Sequence, residues 1–389
     1  MNVQDYIERV FTLGDKKGLD AQPEKNVLEE FNALALESFE FQRENCRVYR
    51  EYLDLIGKGD FHPESIDEIP FFPIRLFKSQ DIISSSREAA LYFTSSATTG
   101  MTPSRHMIVD PTVYEQSFKT GFRRVYGESG TYNLLALLPS YLERKHSSLV
   151  YMAEGLIAET RQNGAEGGFF LYNHDELFSS IKRLADRKII LLGVSFALLD
   201  FAEYVKQQVP DPDERAAIFS DVIVIETGGM KGRGEELSRE ELHRRLRDGF
   251  VSARIDSEYG MCELLSQAYS IGNRPGNSLE KSEQKASGAD EKGLRTLKAS
   301  EKEEGVFFTP PWMRVLARDL MDPFRVKGVL EGGLNIIDLA NIWSCCFIET
   351  EDRGRIFSIA EEKKSVHPVF TVDGRIQNSE LRGCNMLIQ

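Results

Sequence analysis

A run of small hydroxyl-bearing residues at Thr94–Gly100, within YFTSSATTGMTPSRH, is the first feature of this sequence with types and spacing suited to chemistry. Leu91, Tyr92 and Phe93 precede it and predict the end of a strand, so the run itself predicts a loop of hydroxyl and backbone N–H groups. Polyphosphate oxygens accept hydrogen bonds from such groups. The loop lacks the lysine of GxxxxGK[ST], which excludes a Walker-type phosphate loop. A plain surface turn is the alternative interpretation.

The composition limits the classes of protein that this loop can serve. The chain has 389 residues, of which 41% are hydrophobic, so it can bury a substantial core in one large domain with a smaller appendage. A net charge of −13 argues against a nucleic-acid partner, because the phosphate backbone would be repelled. The five cysteines are an odd number and show no CxxC spacing, which is typical of a reduced intracellular compartment without disulfides or a zinc site.

Nothing apolar enough to enter a membrane is expected. The start, MNVQDYIERVFTLGDKKGLD, is charged throughout and lacks the apolar segment of a secretory signal. The longest apolar runs, such as NLLALLPSYL, fall short of a membrane span. The sequence therefore predicts a soluble cytoplasmic protein with no membrane span.

The elements that must position the loop can be read from periodicity. In VQDYIERVFTL the apolar residues recur at three- and four-residue steps, and the pattern continues to about residue 57, which predicts helices. Pro70 and Pro73 exclude a regular helix and predict an extended segment. Beyond them NLLALLP, KIILLGVS and DVIVIETGG alternate with amphipathic stretches, which predicts an α/β core with a largely parallel sheet. Ligands of such sheets bind at the carboxyl ends of the strands.

Four segments follow from these patterns: a helical N-terminal region at 1–68, an α/β core at 69–271, a charged insertion at 272–305 and a β-rich C-terminal part at 306–389. The insertion is rich in Lys, Glu, Ser and Gly and has almost no large apolar residue. It cannot bury enough surface to offset its ordering entropy, so it is predicted to be disordered. The last part contains the strand-like runs VFFTPPWMRVLARDL, GGLNIIDLANI and RGRIFSIA.

Together with later motifs, the loop resembles the phosphate loop of the adenylate-forming enzymes. This resemblance implies that ATP phosphates bind at Thr94, Ser95, Ser96, Thr98, Thr99 and Gly100. SEYGMCE resembles the family's aromatic-Gly-x-Thr-Glu motif, which implies that Tyr259 and Gly260 lie at the nucleotide and that Glu263 holds Mg²⁺. Cys262 replaces the usual threonine, so one hydroxyl contact to the α-phosphate lacks its usual donor.

Three further segments fit the same resemblance. ETEDRG resembles the segment whose aspartate binds the ribose hydroxyls, which implies that role for Asp352. DGRIQNSELRGCN resembles the hinge motif that begins Gly-Arg, and Arg375 is the arginine that would reach the nucleotide. In the weaker match IETGGMKGR, Gly228 and Gly229 stand where family members cradle the adenine. The implied cofactors are ATP and Mg²⁺, and the implied fold is the nucleotide-binding large domain of these enzymes.

A narrower resemblance is to the acyl-protein synthetases of the bacterial fatty-acid reductase complex. It is carried by IPFFPIRLFKS, FTSSATTGMTPSRH, LALLPSYLERKHSSLVYM, SEYGMCELLSQAYS and NSELRGCN, from Ile69 to the C-terminus apart from the charged insertion. The implied enzyme is an AMP-forming acid–thiol ligase. It would convert ATP and a long-chain fatty acid to an acyl-adenylate and then pass the acyl group to its own cysteine and on to a partner reductase.

The first step of this reaction joins two anions, so it needs Mg²⁺ and basic groups that offset their repulsion. Arg105 and His106, just past the hydroxyl loop, are the basic residues predicted to be catalytic. Four others are candidates, and a solvated turn explains the last two equally well: Arg144, His146, Lys231 and Arg233.

The second step needs a thiol, because a thiolate is a strong nucleophile and its thioester remains reactive. The acyl-protein synthetases carry their acylated cysteine close to the C-terminus, and Cys384 is the match, with Arg382 beside it to favour the thiolate. Packing in a terminal strand is the alternative for Cys384. Cys345 and Cys346 lie in an apolar run and Cys46 in an amphipathic helix, so these three are predicted to be structural.

The chain departs from most adenylate-forming enzymes after the hinge motif. Only 14 residues follow Arg375, so the usual C-terminal lid domain with its catalytic lysine is expected to be absent. One of the basic residues above, or a partner subunit, would then replace that lysine. Two other functions remain open: a ligase of the phenylacetate-CoA ligase type that acylates coenzyme A, and a non-catalytic scaffold.

Overall fold

A computed structural model describes residues 1–13, 24–95, 102–138, 146–171, 173–184, 187–228, 237–272, 296–298, 305–361 and 365–376. The helices among them are α1 (Val3–Thr12), α2 (Glu24–Asn45), α3 (Arg47–Leu55), α4 (Pro111–Tyr126), α5 (Ser148–Gln162), α6 (His174–Arg183), α7 (Ser195–Gln208), α8 (Pro212–Ile218) and α9 (Arg239–Gly249).

The strands in the same residues are β1 (Phe72–Pro73), β2 (Leu91–Thr94), β3 (Arg105–Ile108), β4 (Tyr132–Leu137), β5 (Gly167–Phe169), β6 (Lys188–Val194), β7 (Val222–Thr227), β8 (Arg254–Tyr259), β9 (Ala268–Ser270), β10 (Thr296–Lys298), β11 (Phe307–Phe308), β12 (Met313–Arg318), β13 (Glu331–Asp338), β14 (Phe347–Glu361) and β15 (Ser365–Arg375). The α/β fold class predicted from the sequence is confirmed.

The chain divides into two compact units. The first comprises Met1–Leu91, His106–Asp110 and Lys285–Gln389, and the second comprises Tyr92–Arg105 and Pro111–Gln284. The chain passes between the units within β2 and again at the start of β3. Asp352, the predicted ribose-binding residue, belongs to the first unit, and Glu263, the predicted magnesium ligand, belongs to the second.

Helices α1 to α3 confirm the predicted helical N-terminal region. Asn2 begins α1, since its Oδ1 accepts hydrogen bonds from the backbone N–H groups of Gln4 and Asp5. The apolar face of α1 is buried as its periodicity predicts, and its Phe11 ring packs edge-on against Trp312 with the ring centroids 5.1 Å apart. This contact attaches α1 to β12 at the start of the strand.

The sheet of the first unit confirms the predicted β-rich C-terminal part. Its strands follow the order β12-β13-β14-β15-β11 with antiparallel neighbours. Strand β1 pairs in parallel with β14. The extended segment predicted from Pro70 and Pro73 is extended only in part, since Ile74–Lys78, directly after β1, forms a 3₁₀ helix. Most of the predicted insertion at 272–305 lies outside the described residues, but β10 within it also pairs in parallel with β14.

The sheet of the second unit has the strand order β9-β8-β7-β6-β4-β5. Its five strands β4 to β8 are all parallel, and β9 is antiparallel to β8. Strands β4 and β7 are buried along their whole length, which explains their unbroken apolar runs. Gly193 lets α7 pack closely on β6, because a Cβ there would lie 2.8 Å from Cγ of Leu198. No helix in the described ranges is long and apolar enough to cross a bilayer.

Candidate functional site

The carboxyl edge of the parallel sheet in the second unit carries several of the predicted site residues. Because β6, β7 and β8 are parallel, their carboxyl ends lie at one edge, where ligands of such sheets bind. Gly228 directly follows β7, Tyr259 ends β8, and Gly260 follows it. Gly228, Tyr259 and Gly260 therefore lie at the carboxyl edge of this sheet, and their roles at a nucleotide stay predictions.

A carboxylate that the sequence analysis did not single out, Glu258, joins the ends of β7 and β8. The hydroxyl of Thr227 donates a hydrogen bond to the Glu258 carboxylate, and the two residues are register partners in the sheet. Gly260 leaves space for this carboxylate, because a Cβ at residue 260 would clash with Glu258 Oε1. Glycine at this place in the motif therefore has a packing reason as well as its predicted role at the nucleotide.

A buried network of polar side chains supports the backbone at Gly228. The Ser195 hydroxyl donates to the Gly228 carbonyl at 2.6 Å, and Glu226 Oε2 lies 3.3 Å from the same hydroxyl. Glu226 is only 6% exposed, with Arg239 Nε at 3.8 Å and His243 Nε2 at 3.5 Å from its Oε1. Burial alone would raise the pKa of Glu226, but His243 and Arg239 together hold it below its ordinary value.

Sequence reasoning missed this network. Glu226 lies in the apolar run DVIVIETGG, and no motif singles out His243. His243 Nε2 also lies 3.1 Å from the Ser257 hydroxyl of β8, so the network joins α9 to two strands. One signal was available, since a glutamate inside a buried parallel strand must find a partner for its charge.

Glu263, the predicted magnesium ligand, lies in a tight turn after β8. It is 4% exposed, and the turn is closed by the Leu264 N–H, which donates to the Met261 carbonyl at 3.2 Å. The segment that follows is fixed to α4 by the 3.1 Å contact between the Ser266 and Ser117 hydroxyls. The backbone that carries Glu263 is thus held from both sides.

Ser95, near the start of the hydroxyl loop at Thr94–Gly100, is joined to Ser104, which lies just beyond the end of this loop. Ser95 and Ser104 exchange two hydrogen bonds: Ser104 N donates to Ser95 Oγ at 2.9 Å, and Ser95 N donates to Ser104 O at 3.2 Å. Thr94 N donates to the His146 carbonyl at 2.7 Å. The predicted phosphate-binding residues Ser96, Thr98, Thr99 and Gly100 lie outside the described residues.

His146 also stacks on Tyr92. The two ring centroids are 4.2 Å apart with an interplanar angle of 10°, and His146 Nδ1 lies 3.3 Å from the Tyr92 carbonyl. The histidine that the sequence offered as a basic group therefore contacts the strand that leads into the hydroxyl loop. Three other candidates lie outside the described residues: Arg144, Lys231 and Arg233.

Arg105 and His106 are adjacent in sequence but have different surroundings. Arg105 is exposed and belongs to the second unit. His106 is fully buried in the first unit, where its Nε2 lies 3.0 Å from Asn341 Oδ1 and its ring meets Phe77 edge-on. These contacts fix the His106 ring, and the catalytic roles of both residues stay predictions.

Asp352 and Arg375, predicted from separate motifs, are brought together. They are register partners in the antiparallel pair of β14 and β15, so their side chains start on one face with Cβ atoms about 5 Å apart. The register shifts between Arg353 and Gly354, next to this pair. Gly374 has a φ of 128°, a backbone conformation that residues with a side chain rarely adopt. The backbone conformation at residue 374 therefore explains why the motif has a glycine before Arg375.

Four of the five cysteines are described, and all four are buried. Burial raises the pKa of the thiols of Cys46, Cys345 and Cys346, which disfavours the nucleophilic thiolate. Cys262, beside Glu263, is 8% exposed. Cys384, the predicted acyl acceptor, lies outside the described residues, as does Gly229.

Comparison with known proteins gives one short similarity in sequence. No family model matches the chain. Over 69 residues, 18% of its length, the chain is 36% identical to the long-chain-fatty-acid–luciferin-component ligase of Photorhabdus luminescens. The chain spans 59% of the length of that relative. The resemblance to acyl-protein synthetases that the motifs indicated is confirmed as a similarity over this stretch.

Two solved structures share part of this arrangement. The ATP-bound MatB from Rhodopseudomonas palustris has 15% identity and a TM-score of 0.46, with 75% of this chain and 49% of that chain covered. The luciferase-like enzyme from the nonluminescent Zophobas morio mealworm has 16% identity and a TM-score of 0.41, with 76% and 59% covered.

Proposed function

We propose that this protein is an ATP-dependent, AMP-forming ligase that activates a long-chain fatty acid and transfers the acyl group to a cysteine of its own. The observation that carries the proposal is the direct pairing of Asp352 with Arg375 across β14 and β15. Two residues that the family resemblance assigned independently to one nucleotide stand on one face of adjacent strands. A chance match of two short motifs would not be expected to bring its key residues together.

In this proposal Asp352 and Arg375 bind the nucleoside. The Asp352 carboxylate accepts hydrogen bonds from the ribose hydroxyls, since an ionised carboxylate offers acceptors on both oxygens. Arg375 is exposed at the end of β15, where its guanidinium can donate to an oxygen of the nucleotide.

The run at Thr94–Gly100 would bind the phosphates, and Glu263 would hold the metal ion. Magnesium is commonly held by one or two carboxylates together with substrate phosphates and water. Among the described residues, no group of three or more metal-ligand side chains converges. Glu263 is buried and offers one carboxylate, which fits this mode of binding. Bound Mg²⁺ would neutralise phosphate charge. Thr94 and Ser95 would begin the phosphate loop. The hydrogen bonds between Ser95 and Ser104 hold the backbone together on the two sides of this loop.

Two displacements complete the proposed reaction. A carboxylate oxygen of the fatty acid attacks the α-phosphorus of ATP, and pyrophosphate leaves. A cysteine thiolate then attacks the acyl carbonyl, and AMP leaves with the electron pair of the broken C–O bond. The burial of the four described cysteines supports Cys384 as the acceptor, and a reductase would receive the acyl group from it.

Isotope labelling tests the proposal directly. The full-length protein is incubated with Mg²⁺, ATP and tritiated palmitate without any added thiol, and both pyrophosphate release and protein-bound label are followed. The expected result is fatty-acid-dependent pyrophosphate release and a protein label that hydroxylamine removes. In a second incubation that contains coenzyme A, label that transfers only to this added thiol would favour the coenzyme A ligase. The absence of ATP binding would favour the scaffold.

A further inference from the structure

Arg318, which no motif singled out, is buried at the end of β12 and makes three hydrogen bonds there. It is 5% exposed. Its Nη1 donates to the carbonyl of Leu334 and to Oδ1 of Asn335, both at 2.9 Å, and its Nη2 donates to the carbonyl of Thr350 at 2.7 Å. One guanidinium therefore joins β12 to β13 and β14.

The place that Arg318 occupies is an irregularity in the sheet. The pairing of β13 with β14 shifts register between Gly333 and Asn335, so the regular ladder is interrupted there. The carbonyls of Leu334 and Thr350 accept from the guanidinium at this interruption. A buried carbonyl without a donor is costly, and the fixed fork of an arginine can supply two carbonyls at once.

Gly333 makes this arrangement possible. It is the register partner of Arg318, and a Cβ built on it would lie 2.5 Å from Cζ of Arg318. Any side chain at residue 333 would displace the guanidinium. The glycine and the arginine therefore form one feature, which the sequence shows only as GGL in β13 and ARD at the end of β12.

The hydrogen bonds continue from Arg318 to Asp352. The Thr350 hydroxyl donates to the Leu334 carbonyl at 2.7 Å and accepts from the Asp352 N–H at 3.2 Å. Thr350 is thus held at its carbonyl by Arg318 and at its hydroxyl by β13, and it holds the backbone of Asp352. Irregular pairing of this kind commonly re-aims a side chain beside a functional site.

The charges are consistent with this role. Arg318 Nη2 lies 3.5 Å from Glu349 Oε1, and Glu351 and Asp352 also act on the guanidinium. Burial lowers the pKa of Arg318 and these three carboxylates oppose that effect. Arginine remains charged in proteins, so Arg318 is a buried positive charge that attracts the carboxylates of the acidic segment Glu349–Asp352.

We propose that Arg318 is a positioning residue for nucleotide recognition: through Thr350 it holds the backbone of Asp352 so that the carboxylate meets the ribose hydroxyls. The inference rests on the proposed function, because the ribose role of Asp352 comes from there. Arg318 itself does not touch the nucleotide in this account. Its effect is on discrimination between ribose and deoxyribose.

The test compares ATP with 2′-deoxy-ATP and 3′-deoxy-ATP in the full-length protein, by the KM of each for pyrophosphate release and by direct binding. Thr350→Val removes the hydroxyl at nearly constant shape, and Thr350→Ser retains it. We expect the preference for ATP over the deoxy analogues to fall about three- to tenfold in Thr350→Val and in Arg318→Met, as for one or two lost hydrogen bonds, with kcat little changed. Thr350→Ser should keep the wild-type preference.

Arg314→Met is the matched control. Arg314 lies on the same strand, four residues before Arg318, and stacks over the Phe31 ring at 4.6 Å. Its loss should lower stability without altering the preference for ATP. A merely structural role of Arg318 would lower the unfolding midpoint in the same way and leave the preference unchanged. If Arg318→Met does not fold, the pair Thr350→Val and Thr350→Ser decides alone.

Failure of the inference is distinguishable from failure of the proposed function. If Asp352→Asn abolishes the preference but Thr350→Val and a folded Arg318→Met retain it, the positioning role is wrong and the ligase proposal stands. If the wild type turns over ATP but Asp352→Asn keeps the preference, the ribose assignment and this inference both fall. If the wild type does not bind ATP, the proposed function is wrong and the inference falls with it.

Discussion

Asp352 of β14 and Arg375 of β15 lie directly opposite each other in an antiparallel pair of strands. This relationship depends on register, because a slip of one residue would turn one of the two side chains to the other face of the sheet. Gly354 contributes to the register, since a Cβ there would clash with the Thr371 carbonyl of β15. The backbone that brings the two residues together is thus specified by a close approach of strands.

A double-mutant cycle tests whether the pair acts as one unit. Asp352→Asn and Arg375→Ala should each raise the KM for ATP about tenfold or more, as expected for lost charge-assisted hydrogen bonds. Because the residues are neighbours, the double variant should lose less than the product of the two single effects. Arg353→Ala is the control: Arg353 pairs with Glu331 at 2.6 Å and should combine additively with Asp352→Asn. Additive effects of Asp352→Asn and Arg375→Ala would contradict a shared ligand.

The buried carboxylate of Glu226 should give the protein a distinct dependence of stability on pH. Its folded-state pKa lies below the ordinary value, after the opposing effect of burial, because of His243 and Arg239. The stabilisation is therefore fully present above the unfolded pKa of about 4.3 and is lost as the pH falls through the lower folded pKa. Glu226→Gln should lower the free energy of unfolding at pH 7 by about 1–3 kcal/mol, with a smaller difference below pH 4.

Urea unfolding of the wild type and Glu226→Gln between pH 7 and pH 3 measures this difference. Glu241→Gln serves as the surface control: hydrogen bonds from Arg244 and Arg245 lower the pKa of Glu241 to about 2, but the group is exposed and screened by solvent. Its effect should vanish in high salt, whereas that of Glu226→Gln should persist. Curves for the wild type and Glu226→Gln that stay parallel across the range would show that folding does not shift the pKa of Glu226.

The parts of the fold that the sequence predicted are those with strong local signals. Strands β4, β6 and β7 are apolar runs because parallel strands are covered on both faces, and α1 shows its buried face directly in its periodicity. The extended segment around Pro73 followed from the loss of a backbone donor. Each of these signals lies within about ten residues of sequence, so no knowledge of distant neighbours was needed.

The parts that were missed depend on distant partners. Arg318 looks like a surface arginine at a strand end, and only its contacts with Leu334 and Thr350 reveal a buried structural group. The environment of His106 could not be inferred either, since its hydrogen-bond partner Asn341 lies 235 positions away. In the candidate site, the motifs singled out Asp352 and Arg375 separately. Their position opposite each other depends on the register of β14 and β15, which the sequence does not reveal.

His146 should act through stacking on Tyr92 and not through charge. His146→Phe retains an aromatic ring, whereas His146→Ala removes it, and neither changes the backbone carbonyl that accepts from Thr94 N. We expect His146→Ala to raise the KM for ATP severalfold, because Thr94 begins the proposed phosphate loop, and His146→Phe to restore most of the loss. Equal losses in both variants would indicate that the imidazole itself contacts an anion, which is the role the sequence offered.

Glu263→Gln should leave the fold intact and impair adenylation. The amide removes the negative charge that would hold Mg²⁺ while keeping the size of the side chain in its buried turn. The rate of pyrophosphate release should fall about 10²-fold or more at saturating ATP. Raising the Mg²⁺ concentration should recover part of the activity. An unchanged Mg²⁺ dependence in the variant would show that another residue holds the metal ion.

Cys384→Ser separates the two half-reactions. A serine hydroxyl is a much weaker nucleophile than a thiolate near neutral pH, so pyrophosphate release in the first turnover should persist while the hydroxylamine-labile label on the protein disappears. Cys262→Ser is the matched control, because Cys262 adjoins Glu263 and is the least buried of the described cysteines. It should keep the label. Label that survives Cys384→Ser but is lost in Cys262→Ser would move the acyl acceptor to the turn that carries Glu263.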